Sequence, residues 1–388
     1  MIAGTGHPGK SAIDLVATTA FGLEAVVKRE VEALGYAVTD SRDGRIAYAS
    51  DARGIVRSNL WLRSADRVYV LLAEFDAVTF EDLFQNCSRV PWENWIVPDG
   101  AFPVTGTSVK STLHSVPACQ GIVKKAIVER LRNAHGLDWF PETGAIFTVR
   151  FSILKNRVSV LLDTSGDGLH KRGYRVRDVE APMKETLAAA LIQLSFFRPD
   201  RIMVDPMCGS GTLAIEAAMI GRNIAPGLSR TFISQQWQAV AQALWKEEKK
   251  IAFDAIDYDA HIDIRASDRD RKAVEAAKEN AIEAGVEDCI SFRVAPVNEL
   301  DAKEAYGVIV TNPPYAQRIG HQSHLNNIYR DLASFMAKRP TWSLFLITPD
   351  PSFESRFGRA ADRRRKLYNG RLQVCYYQYY GLKPPVKA

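Results

Sequence analysis

The chain is poor in the features that would send it out of a cell or into a membrane. Its 388 residues hold five cysteines, Cys87, Cys119, Cys208, Cys289 and Cys375, and none stands in a C-x-x-C pair. That pattern excludes a zinc knuckle or redox dithiol, and the odd, scattered set suits a reducing compartment. No apolar signal region opens the chain, and nowhere do about 18 apolar residues run together, so the expectation is a cytoplasmic protein with no membrane span. Neither an internal repeat nor a low-complexity segment is present, and no Ser-His-Asp or Cys-His set points to covalent catalysis. Charge is nearly balanced: 50 basic against 45 acidic side chains leave +5. Such a mildly basic surface permits a nucleic-acid partner without requiring one. The length predicts two or three domains of ordinary globular composition.

What the chain does have is concentrated in two segments. Asp205-Pro-Met-Cys-Gly-Ser-Gly-Thr212 follows the apolar stretch Ile202-Met-Val204 and leads into Leu213-Ala-Ile-Glu-Ala-Ala-Met-Ile220. This reads as strand, glycine turn, helix, with a carboxylate ending the strand and two glycines allowing close backbone approach to a ligand. The longer dinucleotide pattern G-x-G-x-x-G is not met, because position 214 is Ala. Thr311-Asn-Pro-Pro-Tyr315 ends a second apolar run, Gly307-Val-Ile-Val310. Pro313 and Pro314 have no N–H to donate. The loop therefore offers acceptors, which are what an amino group needs when it is to be methylated.

Together these segments resemble a class I S-adenosylmethionine-dependent methyltransferase that modifies an exocyclic amino group of a base. Leu169-His-Lys-Arg-Gly-Tyr-Arg175, Ala181-Pro-Met-Lys-Glu-Thr-Leu-Ala-Ala-Ala190 and Asn223-Ile-Ala-Pro-Gly227 extend the match. They make the chain similar to the THUMP-containing bacterial rRNA guanine-N2 methyltransferases, relatives of which are often labelled N6-adenine-specific DNA methylases. The likeness runs through nearly the whole chain and is sharpest over 165–320. It implies an α/β fold: an N-terminal ferredoxin-like unit (1–55), a THUMP RNA-binding domain (56–165), and a Rossmann-like methyltransferase domain (166–388) closed by an antiparallel hairpin.

Periodicity supplies the elements. Strands are expected at 13–17, 45–48, 67–73, 145–152 and 157–163, and helices at 22–34, 55–62 and 120–131. Beyond Arg201, strands are expected at 201–205, 262–268, 289–295, 307–311 and 343–348, alternating with helices as in a parallel sheet covered on both faces. Asn369-Gly370 between two strand-like runs signals the terminal hairpin.

For the cofactor, the resemblance implies Asp205, Pro206, Gly209, Ser210, Gly211 and Thr212 around the ligand, with Asp205 accepting from its ammonium. Asp268, which closes Ile262–Asp268, would accept from a ribose diol, while Asp270 begins a helix and reads as its cap. The acidic residue that usually meets the adenine is replaced by Pro296, leaving Asn298 or Glu299 for that contact. Asn312, Pro313, Pro314 and Tyr315 form the catalytic set: the Asn312 side-chain oxygen and the Pro313 carbonyl would hold the amino hydrogens, and Tyr315 would stack on an extruded base. A second departure is Ala316-Gln317-Arg318, where the family has Gly-Glu-Arg.

Other motifs carry less. Gly4-Thr-Gly-His-Pro-Gly-Lys-Ser11 fits the P-loop spelling but lacks a preceding buried strand. His321 and His324 have ligand spacing without a third ligand, so no metal is expected. Lys124 and Lys125, with Arg130 and Arg132, edge a helix; Lys171, Arg172, Arg175 and Arg177 surround Gly173-Tyr174; Arg363-Arg-Arg-Lys366 forms a third cluster. Lys124, Lys125, Lys171, Arg172 and Arg175 are the candidate RNA contacts, with a solvated face as the alternative for the helix edge. The expected partner is RNA, with rRNA as the expected class. Guanine-N2 methylation of tRNA, adenine-N6 methylation of DNA, and a non-catalytic role in ribosome assembly stay open.

Overall fold

The structure is a computed structural model that describes residues 12–42, 44–177, 183–315 and 321–383. The P-loop-like Gly4–Ser11, Asp43, Ala181-Pro182 and Ala316-Gln317-Arg318 lie outside the described residues, as does the His321 side chain. The described chain divides into two compact units, 12–19 with 27–169 and 230–251, and 20–26 with 170–229 and 252–383.

The first unit is built on one seven-stranded sheet. Its strands are β1 (Ile13–Thr18), β2 (Val38–Arg42), β3 (Arg45–Ser50), β4 (Arg67–Asp76), β5 (Val104–Val109), β6 (Val149–Leu154) and β7 (Arg157–Asp163), ordered β2-β3-β1-β4-β7-β6-β5. β4 joins the two expected modules, since it pairs with β1 on one side and β7 on the other. The boundary expected at 55/56 is thus corrected. It falls inside the helix Ala52–Trp61, which starts at an Asp51 cap bonded to the Gly54 N–H and buries Ile55, Val56 and Leu60. The helix expected at 120–131 is longer, Val116–His135, because Ser115 caps it, Pro117 opens its first turn and Gly136 in a left-handed conformation ends it.

Residues 230–251 were expected within the methyltransferase domain, and this too is corrected. Arg230 donates to the carbonyls of Asp167 and Gly168. Trp237 stacks on Phe147 at 5.2 Å and donates its indole N–H to the Ile146 carbonyl. Trp245 stacks on Phe232 at 5.3 Å. Glu248, 1% exposed, takes bonds from Arg53 and Arg57. Burying two indoles and neutralising a buried carboxylate holds this stretch in the first unit's core.

The second unit is an open α/β sheet. Its strands are β8 (Met203–Asp205), β9 (Ile264–Asp268), β10 (Ile290–Val294), β11 (Val308–Thr311), β12 (Ser343–Thr348), β13 (Arg363–Asn369) and β14 (Leu372–Tyr379), ordered β10-β9-β8-β11-β12-β14-β13. The first five are parallel, and the terminal hairpin is antiparallel. Every residue of β11 and β12 is buried, as central parallel strands demand. The hairpin loop is Gly370-Arg371, one residue later than Asn-Gly spelling implies, because Asn369 still pairs with Leu372. Among the described residues no helix is long and apolar enough to cross a membrane.

The packing of the inserted stretch gives a stability test. Trp237→Ala should cost about 3–5 kcal/mol, the range for removing a buried aromatic. Trp139→Ala, at a side chain 74% exposed, should change stability by no more than about 0.5 kcal/mol. Denaturant unfolding of both variants checks this, and equal midpoints would refute the docking of 230–251.

Candidate active site

Chain order in the second sheet runs from β8 outward to β9 and β10, then returns to β11 on the other side of β8. The crevice at the carboxyl ends of β8 and β11 is therefore a topological switch point, where open α/β sheets bind ligands. Both sequence segments end there. Asp205 closes β8 and Thr311 closes β11, and the Thr311 hydroxyl donates to Asp205 Oδ1 at 2.8 Å. The Met207 N–H donates to the same oxygen at 3.3 Å. Oδ2 is left for an incoming donor. Burial pushes the Asp205 carboxyl up to about 7, opposed by the Thr311 and Met207 bonds and aided by the nearby Asp268 charge. A buried acid so poised gains most from a cationic ligand group, which restores its ionised form.

The glycine loop is braced from three sides. Gly209 donates its N–H to Asp268 Oδ2, and Asp270 donates to Asp268 Oδ1. Asn280, 1% exposed, donates to the Ser210 carbonyl and accepts from the Val176 and Arg177 N–H groups. Arg175 donates to Ser210 Oγ, Thr212 Oγ1, the Met183 carbonyl and Glu185. Gly209 has φ +53, and a Cβ there would meet nothing within 4 Å, so the loop backbone is open to a ligand. Gly211 has φ +83 and would press a Cβ to 3.0 Å from Ala277, so that glycine serves helix packing. Pro206 lies between Asp205 and the loop and is buried. Asp268 is half-buried, with Oδ2 held by the loop's Gly209 N–H and Oδ1 by the Asp270 N–H. Asp270 caps the helix Arg271–Glu283. Asn298 is exposed in the turn Val297–Glu299, where Glu299 is paired with Arg293.

At the catalytic loop, Pro313 is buried, Pro314 is exposed, and Asn312 is half-buried. Among the described residues, the Asn312 Oδ1 atom is buried without a hydrogen-bond partner, as is the Tyr315 hydroxyl. A buried acceptor left unmade costs about 1–3 kcal/mol, so such an atom calls for an absent partner. Tyr315 is half-buried against the second unit's core, and burial pushes its phenol up. Asn369 is a polar neighbour of that hydroxyl but not at hydrogen-bonding geometry.

Two candidate RNA contacts are corrected. Arg172 is buried and donates to Glu216, which is fully buried in the otherwise apolar helix Thr212–Gly221; Tyr174 donates to the same carboxylate. The helix cannot carry that charge without a counter-ion, so Arg172 faces inward. Arg175 is spent on the glycine loop, as above. Lys124 is half-buried over the Phe102 ring and bonded to Glu142. Lys125 and Lys171 are exposed. Sequence reading missed Thr311, Asn280 and the structural role of Arg175. The one available hint was Glu216, an acid in an apolar helix that needed a basic partner.

A glycine-loop crevice with a buried carboxylate, beside an acceptor-rich proline loop, defines a methyltransferase. The matching family model, described as an RMKL-like methyltransferase domain, covers residues 172–378. An RlmL ferredoxin-like domain matches 14–69 and a THUMP domain matches 77–163. The chain is 47% identical over 373 residues to YpsC of Bacillus subtilis (strain 168), provisionally named an RNA methyltransferase, covering 96% of this chain and 97% of that one. A Listeria monocytogenes protein solved as a predicted N6-adenine-specific DNA methylase superposes with TM-score 0.93 at 45% identity, over 97% of this chain and 98% of that one. SMU.472, solved with S-adenosylhomocysteine and provisionally assigned as a methyltransferase, gives TM-score 0.91 at 43% identity, over 97% and 100%. The chain belongs to the RMKL-like methyltransferase family, and its cofactor is S-adenosylmethionine.

Cofactor affinity should depend on the ionisation of Asp205. Because the neutral acid no longer attracts an ammonium, S-adenosylmethionine binding should weaken as pH falls below about 7. Thr311→Val removes a donor that favours the carboxylate, so it should raise the onset pH and weaken binding at neutrality. Calorimetric titration across this range is the check. A flat profile in both proteins would exclude Asp205 from the site.

Proposed function

We propose that this chain methylates the exocyclic N2 of a guanine in RNA, with large-subunit rRNA as the substrate. The observation that carries the reading is the orphaned, buried Asn312 Oδ1 at the carboxyl end of β11. An amino nitrogen bonded to a purine ring is a poor nucleophile, because its lone pair is delocalised. Asn312 Oδ1 and the Pro313 carbonyl accept its two hydrogens and turn the lone pair out of conjugation. The same acceptors stabilise the positive charge that develops on nitrogen. Tyr315 supports the extruded base through its ring. S-adenosylmethionine supplies an electrophilic methyl group on a sulfonium. Asp205 holds the ligand's ammonium, Asp268 the ribose, and Asn298 lies within the turn assigned to the adenine side. The loop Gly209–Thr212 follows the ligand backbone. Alignment rather than strong acid–base chemistry drives such a transfer.

RNA is favoured over DNA by the THUMP match at 77–163, inside a unit that has no place in the transfer chemistry. Lys125 and Lys171 remain the exposed candidates for phosphate contact. We further assign residues 166–229 and 252–388 to catalysis, and the N-terminal modules to RNA delivery.

Asn312→Ala should lower single-turnover methylation by about 10²–10³ while sparing cofactor and RNA affinity. Near-wild-type rate at saturating cofactor and RNA would discard the amino-group mechanism. Nucleoside mass mapping of rRNA and tRNA, from cells with and without the protein, should show one lost N2-methylguanine in large-subunit rRNA. A lost tRNA or DNA methyl group instead would reassign the substrate.

A further inference from the structure

β13 runs parallel to β12, because both are antiparallel to β14. The tip of the terminal hairpin therefore projects from the carboxyl edge of the sheet, the edge where Asp205 and Asn312 lie. Register shows how far. Thr348, the last residue of β12, is level with Cys375 and Lys366, so Tyr368, Asn369, Gly370 and Arg371 overhang the edge. Asn369 is the polar neighbour of the Tyr315 hydroxyl, which joins this tip to the catalytic loop.

A segment from the N-terminal part of the chain lies against the same tip. Residues 20–26 belong to the second unit. Gly22 sits so close to β13 that a Cβ would lie 2.7 Å from the Lys366 carbonyl oxygen. The contact positions Phe21, whose ring meets Tyr368 at 6.2 Å and 81°. Phe21 is 58% exposed. Two aromatic rings at right angles thus form a floor and a wall, and the cost of exposing a phenyl ring to water is unexplained by the fold. Cations stand beside them. Lys366 lies over the Tyr368 ring at 5.9 Å, and the side chain of the exposed Arg371, in the hairpin loop, has no hydrogen bond or ion pair among the described residues.

We propose that Phe21 and Tyr368 form a stacking platform for an unpaired nucleobase of the RNA next to the target nucleotide, with Lys366 and Arg371 on its phosphates. Exposed rings interleaved with cations are a means by which proteins hold single-stranded nucleic acid, and continuity with Tyr315 through Asn369 puts the platform beside the catalytic loop. The assignment rests on the RNA reading above.

The test uses the full-length protein and a fluorescent single-stranded oligouridylate of about a dozen nucleotides carrying thiouridine. Phe21→Ala should weaken binding by about tenfold, and Phe21→Trp should restore it. Photo-crosslinks from the wild-type protein should fall in peptides holding residues 20–24 and 366–371. Thermal unfolding and S-adenosylmethionine affinity should not change, since Phe21 is exposed and outside the cofactor crevice. Wild-type affinity in Phe21→Ala, or crosslinks confined to other peptides, would overturn the platform and leave the RNA reading standing. Failure of the wild-type protein to bind the oligonucleotide would overturn both.

Discussion

One hydrogen bond joins the two halves of the catalytic crevice. Thr311 and Asp205 end neighbouring parallel strands and are 106 residues apart in sequence, yet the hydroxyl of one meets the carboxylate of the other at 2.8 Å. Thr311 is covalently followed by Asn312, and Asp205 by the glycine loop. On the function proposed above, the bond therefore sets the distance between the group that grips the cofactor and the group that presents the amino nitrogen. Methyl transfer is sensitive to such distances, because misplacement by about 1 Å can cost on the order of a hundredfold in rate. Putting the bond between two buried strand ends, rather than two loops, makes the spacing as rigid as the sheet.

Around that bond the polar groups are arranged in tiers. Asp268 and Asn280 hold the glycine-loop backbone, Arg175 holds its two hydroxyls, and Glu185 holds Arg175. Asn312 Oδ1 and the Tyr315 hydroxyl stand apart from this network, buried and unmatched among the described residues. A glycine loop already held by its own side chains, beside acceptors that are not, fits a site whose cofactor loop is preformed and, on the function proposed above, whose last partners arrive with the nucleotide.

Much of this was legible in the chain itself, for identifiable reasons. β11 and β12 are continuous apolar runs, so their place at the sheet centre follows from solvent exclusion. Asp270 could be told from Asp268 because one opens a helix and the other closes a strand. What escaped detection depends on partners distant in sequence. Arg172 and Arg175 look like surface cations until Glu216 and Glu185 are seen beneath them. Val104–Val109 holds four small residues, Thr-Gly-Thr-Ser, between two valines, a weak strand signal, and it forms because β6 pairs beside it. The terminal hairpin is legible from Asn369-Gly370 between two strand-like runs, while the pairing of Asn369 with Leu372 narrows its loop to Gly370-Arg371. The stretch 230–251 falls by position within the expected methyltransferase domain, and its attachment through Glu248 to Arg53 and Arg57 spans nearly 200 residues.

That stretch has a consequence for biosynthesis. A ribosome releases the chain from its N-terminus, and the first unit would be expected to fold as soon as residue 169 emerges. Its core is incomplete at that moment, because Phe147 and Arg53 still await Trp237 and Glu248. At about 5–20 residues per second, on the order of ten seconds of translation separate the sheet from its missing cover. During that interval the nascent protein carries exposed aromatic surface, and the core of the first unit closes only once synthesis has passed Ile251.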